Sequence, residues 1–518
     1  MRWRMAVGWA SRALVCVSLL SWAILASAAM VWAEPPIQSE EGRKVHHSIQ
    51  KATDGGFWGV VGIARKGKLD LAMGYGWADL DQQPVTPDTI FELASLSKQV
   101  TATAILKLAQ QGKLKLDAPL STFWKDIPED KHDMTVAHLL RHTSGLDRSL
   151  GVPYTSPLDR AAYVKHILAK PRTHFPGDHF SYSNVGYALL AAIVEEVTGG
   201  SFEDYCREHV FKPAGLSRTG FITDPRFTKD KNVAARMGAA PGQNAVNWHW
   251  GWGYRGMGGV VSTLNDLLVW DRALRGNKVL DAAHRAELYT PTEDGDYACG
   301  WRMGTTSKGT RKASHSGGVQ GFGIWMTRYL EDDAVVIVMT NNRRDLRRLV
   351  EIAEDAVDPK PRVRATIDVS HLTLTKYRAA ELGGDCTFHV KTKGDLRVIT
   401  ITHGKKPVAT IELPAGFEKK VVADLRRGAS ARRGDDKGGP PAVEGGVYLA
   451  AYGGTPKLTL DERVSITILP MYRGRGENGP IVDKRVVFVL NDGKARNWPI
   501  MVKMNVAAVE QLIEALET

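Results

Sequence analysis

Residues 92–98 read ELASLSK, which sets Lys98 three positions after Ser95 at the head of an apolar, helix-patterned run. Helical spacing puts both side chains on one face, within hydrogen-bonding reach. A serine hydroxyl is a weak nucleophile and needs an adjacent base. An amine can be that base once burial or a neighbouring cation lowers its pKa. The start of a helix adds the Ser95 backbone N–H and a dipole that favours a developing oxyanion. The same spacing recurs at Ser48-Ile49-Gln50-Lys51, which reads as a coincidence on a surface helix.

Two further stretches could complete such a site. Tyr182-Ser183-Asn184 lies just before a second helical run, YALLAAIVEEVTG. Its phenol could exchange a proton with Ser95 and a leaving group, and its amide could hold Lys98 and donate to a substrate carbonyl. His315-Ser316-Gly317-Gly318 reads as the opening of the strand GFGIWM. Its two glycines would let a substrate backbone approach closely, with the Gly318 N–H as a second oxyanion donor.

In this order, separated by about 90 and 130 residues, the three motifs resemble the serine β-lactamase and penicillin-binding protein superfamily, and most of all its class C, esterase and D-aminopeptidase branch. The resemblance covers about residues 45–350. It extends to PVTPDTIFELASLSKQVTATAILKLAQQGKLKLDAPL, HLLRHTSGL and GGVVSTLNDLLVWDRAL. It implies Ser95 as the acylated nucleophile and Lys98 with Tyr182 as a shared general base and acid. Asn184, His315 and Gly317 would contact substrate, and the N–H groups of Ser95 and Gly318 would form the oxyanion hole. One position departs from the pattern. The third motif of β-lactamases and wall peptidases usually starts with lysine, whereas His315 is largely neutral near pH 7. Losing that fixed cation favours neutral esters or amides over penicillins or terminal D-alanine.

Other motifs read as decoys. Gly251-Trp252-Gly253-Tyr254-Arg255-Gly256 fits a dinucleotide fingerprint, but bulky aromatics and the lack of a preceding strand argue against one. The surrounding NWHWGWGY is either an aromatic wall beside the site or a packed loop. His138 and His142 stand four apart, without the following glutamate or third ligand that a zinc site needs. Arg218-Thr219-Gly220 imitates the third motif without its strand context. No cofactor and no metal are called for.

The elements that must position these residues follow from periodicity. Residues 57–80 read as two alternating strands around a Lys-Gly-Lys turn. Val100, Ala104 and Leu108 repeat at helical spacing, with Gly112 as a stop. Ser262-Thr263 can cap LNDLLVWDRAL, and GFGIWMTRYL with AVVIVMTNN forms two more strands around an acidic turn. Strands at both ends with helices between give an α/β (α+β) class: a central antiparallel sheet, completed by distant segments and covered by helices. The resemblance names that fold β-lactamase/transpeptidase-like. After residue 362 short strands dominate. This predicts a hydrolase-like domain at 34–362 and a mostly-β domain at 363–518, the latter broken by the Gly/Pro-rich loop 428–446.

A chain of 518 residues exceeds one hydrophobic core, and 43% apolar with 24% charged residues is a globular composition. Arg2, Arg4 and Arg12 precede a long uncharged run ending Val31-Trp32-Ala33, which reads as an export signal cleaved before Glu34. The run is also long enough for an uncleaved membrane anchor. The protein is therefore expected to be periplasmic or secreted. Cys206, Cys299 and Cys386 form neither a disulfide framework nor a metal-ligand spacing. The net charge of +11 is concentrated at the C-terminal end, where residues 361–518 hold 25 basic and 18 acidic side chains. That suits an anionic cell wall or membrane surface, and no aromatic-basic module points to nucleic acid. The expected function is an exported serine hydrolase acting on a small-molecule or short-peptide ester, amide or lactam, in the manner of an esterase or D-amino-acid peptidase. The alternatives are a D-alanyl-D-alanine carboxypeptidase, a β-lactamase, or a wall-peptide sensor that binds without turnover.

Overall fold

The computed structural model describes residues 37–359, with short gaps at 54–55, within 237–249, at 293–294 and at 343–345. Beyond 363 it describes chiefly a set of strands. The export signal and the 428–446 loop lie outside the described residues.

A six-stranded sheet is built from β1 (Gly59–Arg65), β2 (Lys68–Tyr75), β6 (Arg302–Thr305), β7 (Arg311–Val319), β8 (Phe322–Tyr329) and β9 (Ala334–Thr340), in the order β2-β1-β9-β8-β7-β6. Every neighbouring pair is antiparallel. β1 and β2 meet at Lys66-Gly67, both at positive φ (49° and 72°), the geometry of a two-residue hairpin turn that follows strand twist. The closing contact is long-range: β1 pairs with β9 in the register Val61↔Val338. All seven residues of β9 are buried because both faces of the sheet are covered. Val336 and Val338 face α1 (Glu40–Thr53) and α7 (Leu346–Val357), packing with Val45, Ile49, Leu349 and Ala353. Val335, Ile337 and Met339 alternate onto the other face, toward the helical half of the molecule.

That half is organised around α2 (Lys98–Gln110) and α5 (Asn184–Thr198), with α3 (Val136–Leu140) and α4 (Arg160–Ala169) beside them. Residues 184–194 of α5 are all buried, and Gly199 ends the helix in the left-handed conformation. α6 (Leu264–Arg275) starts where the sequence placed it, with the Thr263 side chain accepting the Asp266 N–H. A small sheet, β3 (Phe91–Glu92), β5 (Val260–Ser262) and β4 (Gly220–Phe221), joins the segment before Ser95 to that before α6. The C-terminal strands between Arg364 and Met504 form two five-stranded sheets.

Candidate active site

Ser95 does not begin one continuous α-helix. It sits in a tight 3₁₀ turn, Ala94–Ser97, and α2 starts at Lys98. Ala94, directly before the serine, has φ 48°, a conformation that costs a non-glycine residue energy and is held only when its surroundings impose it. Those surroundings are β5: the Leu93 N–H donates to the Val260 carbonyl at 2.9 Å, and the Val260 N–H donates to Ser97 Oγ at 3.1 Å.

Lys98 is fully buried. Its Nζ lies 2.9 Å from Asn184 Oδ1, 2.9 Å from the Met257 carbonyl and 3.3 Å from Ser95 Oγ. The amide oxygen and the carbonyl can only accept, so each takes one N–H. A neutral amine has two such hydrogens and one lone pair, and the remaining contact is the serine hydroxyl. Burial, with help from the Arg148 charge, holds Lys98 well below its ordinary value, while Glu92 opposes the shift. The amine is therefore poised to accept the Ser95 proton.

Tyr182 lies beside the same hydroxyl. Burial raises its phenol to about 12, with the Ser95 hydrogen bond and then Arg148 moderating the rise. It is therefore a neutral acid at physiological pH, which leaves Lys98 as the stronger candidate base. Asn184, the first residue of α5, spans the site: its Oδ1 holds Lys98 and its Nδ2 donates to Tyr154 Oη at 3.4 Å.

His315, Gly317 and Gly318 close the opposite side. They do not open the strand GFGIWM as the sequence suggested. They belong to β7, the preceding strand, in the register Gly318↔Gly323 with β8. Their outer edge is open because β6 pairs only as far as Arg302↔Ser314. Residues 315–318 are left as an exposed backbone edge facing the serine turn. Gly317 is required by contact: a Cβ there would lie 2.2 Å from the Leu93 carbonyl. His315 Nδ1 donates to the Ser316 carbonyl at 2.7 Å, so Nε2 accepts from Tyr297 Oη at 2.8 Å. Burial above all pushes its pKa to about 3, and the ring is neutral.

Ser95, Tyr182, Arg148, Tyr297, Arg302 and His315 line one cleft of about 930 Å³. A second cavity of about 490 Å³, beyond the end of α5, is lined by Arg160, Glu195, Glu203 and Arg255. Its charges pair with one another: Arg255 with Glu203 at 2.6 Å, Arg160 with Glu195 at 3.7 Å. Its one hydroxyl, Ser201, is taken up in a helix cap with Asp204.

The decoys resolve locally. Ser48 and Lys51 are exposed on α1. Thr219 bonds to Ser262 and Asp266 beneath the small sheet. In the glycine-rich stretch, a Cβ on Gly253 would lie 2.0 Å from the Tyr163 ring, so this glycine serves packing. Trp250 stacks on Tyr254 at 4.1 Å, and Tyr154 lies 5.2 Å from Tyr254. The cluster is thus a packed loop that touches the site through the Tyr154–Asn184 bond rather than lining the cleft. His138 Nδ1 accepts the Thr135 N–H in a capping box, and no group of three or more His, Cys, Asp or Glu suited to a metal occurs among the described residues. Cys206 and Cys299 are buried free thiols.

Sequence reasoning missed Glu92, His142, Arg148, Tyr154 and Tyr297. Glu92 was in plain view, three residues before Ser95. Its buried Oε1 accepts from Tyr254 Oη at 3.0 Å and the Gly259 N–H at 3.2 Å, and burial raises its carboxyl to about 7. The others come from loops whose approach to the cleft no periodicity encodes.

Comparison with known proteins agrees with this architecture. The chain is 27% identical over 327 residues to penicillin-binding protein 4* of Bacillus subtilis (strain 168), covering 56% of this chain and 69% of that protein. A D-amino acid amidase from Ochrobactrum anthropi SV3 superposes with a TM-score of 0.53 at 23% identity, covering 62% of this chain and 98% of the amidase. A class C beta lactamase from Rhodobacter sphaeroides gives 0.52 at 22% identity, covering 62% and 99% respectively. At these identities the two structures establish the fold alone. The family model described as Beta-lactamase matches residues 47–357, the whole span that builds the six-stranded sheet and the cleft, and the chain belongs to that family.

Proposed function

We propose that this protein is an exported serine hydrolase that works through a Ser95 acyl-enzyme on esters, amides or lactams, with esterase or D-amino-acid-peptidase character. The observation that carries the reading is the buried Lys98 amine, bonded to two obligate acceptors with Ser95 as its third neighbour. In the acylation step Ser95 Oγ bonds to the carbonyl carbon as its proton passes to Lys98 Nζ. The oxyanion that forms accepts from the N–H groups of Ser95 and Gly318. Collapse breaks the bond to the leaving group, whose heteroatom takes a proton from Tyr182, and the Lys98 ammonium restores the phenol. A water molecule then repeats the sequence in reverse roles to release the acid.

The neutral His315 supplies no charge for substrate recruitment, whereas Arg148 and Arg302 line the same cleft. Arg302 is paired with Asp296, so it is Arg148 that favours an acyl donor carrying an anionic group, which revises the preference for neutral substrates drawn from position 315 alone. Residues 1–33 would direct export, and the basic C-terminal segment would meet an anionic wall polymer or phospholipid surface. Hydrolysis of p-nitrophenyl esters, nitrocefin and a D-Ala-D-Ala peptide, compared side by side, ranks esterase, β-lactamase and carboxypeptidase. Covalent labelling by a fluorophosphonate without turnover of any of them would favour the sensor instead, and no labelling of folded protein would end the hydrolase reading.

A further inference from the structure

His142 entered the sequence reading only as half of a rejected zinc pair, and the acyl-transfer scheme above gives it nothing to do. Its surroundings are specific. The backbone carbonyl of His142 accepts the Ser181 N–H at 2.7 Å, and its ring Nδ1 accepts the Ser183 N–H at 3.1 Å. These N–H groups belong to the residues on either side of Tyr182. The imidazole also packs on the Tyr182 ring itself, centroids 4.2 Å apart, and is enclosed behind by Tyr297 at 4.6 Å and Tyr187 at 5.0 Å. One residue thus holds the backbone N–H of both neighbours of the tyrosine and packs on one face of its ring.

The cost of this arrangement shows that it is not generic packing. His142 has φ 58°, a strained value for a residue with a side chain. The Ser183 bond makes Nδ1 the acceptor, so Nε2 carries the hydrogen, and that buried donor has no partner among the described residues. A phenylalanine would fill the same space without an orphaned N–H, but it would leave the Ser183 N–H unpaired instead. The ring is fully buried, and burial first, with the nearby Arg302 and Arg148 guanidinium groups adding to it, holds it in its neutral form. The same loop is tied to α5 twice more, through Ser183 Oγ donating to the Asp147 carbonyl at 2.8 Å and the Asn184 N–H donating to the Arg148 carbonyl at 2.9 Å.

We propose that His142 is a positioning residue for Tyr182, holding the N–H groups of the residues on either side of it and packing on one face of its ring so that the phenol stays directed at Ser95. The inference rests on the hydrolase reading and extends it to a residue that touches no reacting atom. A misplacement of a catalytic group by about 1 Å can cost about 100-fold in rate, so the clamp has leverage.

The test is a double-mutant cycle on the full-length protein, with p-nitrophenyl acetate as the probe substrate. His142→Ala and His142→Phe are expected to lower kcat roughly 10- to 100-fold with KM within about threefold, since the loss is one of alignment. His142→Asn, whose Oδ1 can replace Nδ1 as acceptor and which tolerates positive φ, is expected to recover a substantial part of kcat. In a Tyr182→Phe background, which lacks the hydroxyl to be aimed, each His142 substitution is expected to cost less than threefold further. An equal loss in both backgrounds, an unchanged kcat, or a loss confined to KM would overturn the inference. Should His142→Ala not fold, the Asn and Phe variants in the two backgrounds carry the same comparison. Fluorophosphonate labelling of wild type separates the levels. Labelled wild type with additive losses removes only the role of His142, whereas unlabelled folded wild type removes the hydrolase reading and this inference together.

Discussion

At the scale of single residues, the proposed function rests on the buried Lys98 amine being neutral. Lys98→Met removes the base and is expected to lower kcat/KM by roughly 10³-fold, and Tyr182→Phe by roughly 10²-fold, in steady-state ester hydrolysis. Lys98 also carries a stability signature. Its folded-state pKa lies well below the unfolded value, so between the two the unfolded chain binds more protons and stability rises with pH. Lys98→Met is therefore expected to raise Tm at pH 7, with the advantage over wild type shrinking as pH approaches 10. A constant difference across that range would show that burial does not depress this amine. Glu92 has the opposite sign. Its carboxyl is raised to about 7, so its contribution is complete below the ordinary carboxylate range and is lost as pH rises through 7. Glu92→Gln is expected to match wild type in Tm at pH 4 and to exceed it at pH 8. Arg148→Gln is expected to raise KM for a carboxylate-bearing ester more than for its neutral methyl ester, and equal effects on the two would remove the anionic-substrate preference.

At the scale of elements, the open edge of β7 has to lie against the turn that carries Ser95. Gly317 sets that distance. Gly317→Ala would drive a methyl group into the Leu93 carbonyl, so the edge or the turn must shift. The expected result is at least a tenfold loss of kcat/KM together with a lower Tm, read by ester hydrolysis and thermal unfolding. Most of the elements were legible in the sequence because each carries a local signal. Lys66-Gly67 announced the β1–β2 hairpin, Gly199 the end of α5, and Thr263 the start of α6. β9 was visible as an apolar run, but its pairing with β1, some 270 residues away, was inferred only as distant segments sharing one sheet. Two readings were limited by what sequence can encode. The strand β7, RKASHSGGV, mixes charged, small and glycine residues, because it faces a cleft and a close-packed turn rather than a uniform core, and its motif was assigned to the wrong strand. The left-handed Ala94 and the 3₁₀ start before α2 come from tertiary bonds to β5, which no local pattern reveals.

At the scale of the whole molecule, the cleft draws all its described lining from residues 95–354, inside the span matched by the family model. That Ser95, Tyr182 and His315 would meet in one cleft was legible because three short motifs keep their order over 220 residues. The surrounding shell of His142, Tyr154 and Tyr297 was not, because it is assembled by loop packing. A chain ending near residue 362 is accordingly expected to be labelled by a fluorophosphonate at a rate within about threefold of the full-length protein, whereas loss of labelling in a folded truncation would assign the C-terminal strands a part in the site. N-terminal sequencing of secreted material tests the export signal, with Glu34 as the expected first residue. The central claim is tested most directly by intact-protein mass spectrometry after a fluorophosphonate pulse. The account predicts a single adduct that peptide mapping places on Ser95, absent in Ser95→Ala and strongly slowed in Lys98→Met. An adduct on another residue, or equal labelling of Ser95 with and without the Lys98 amine, would contradict it.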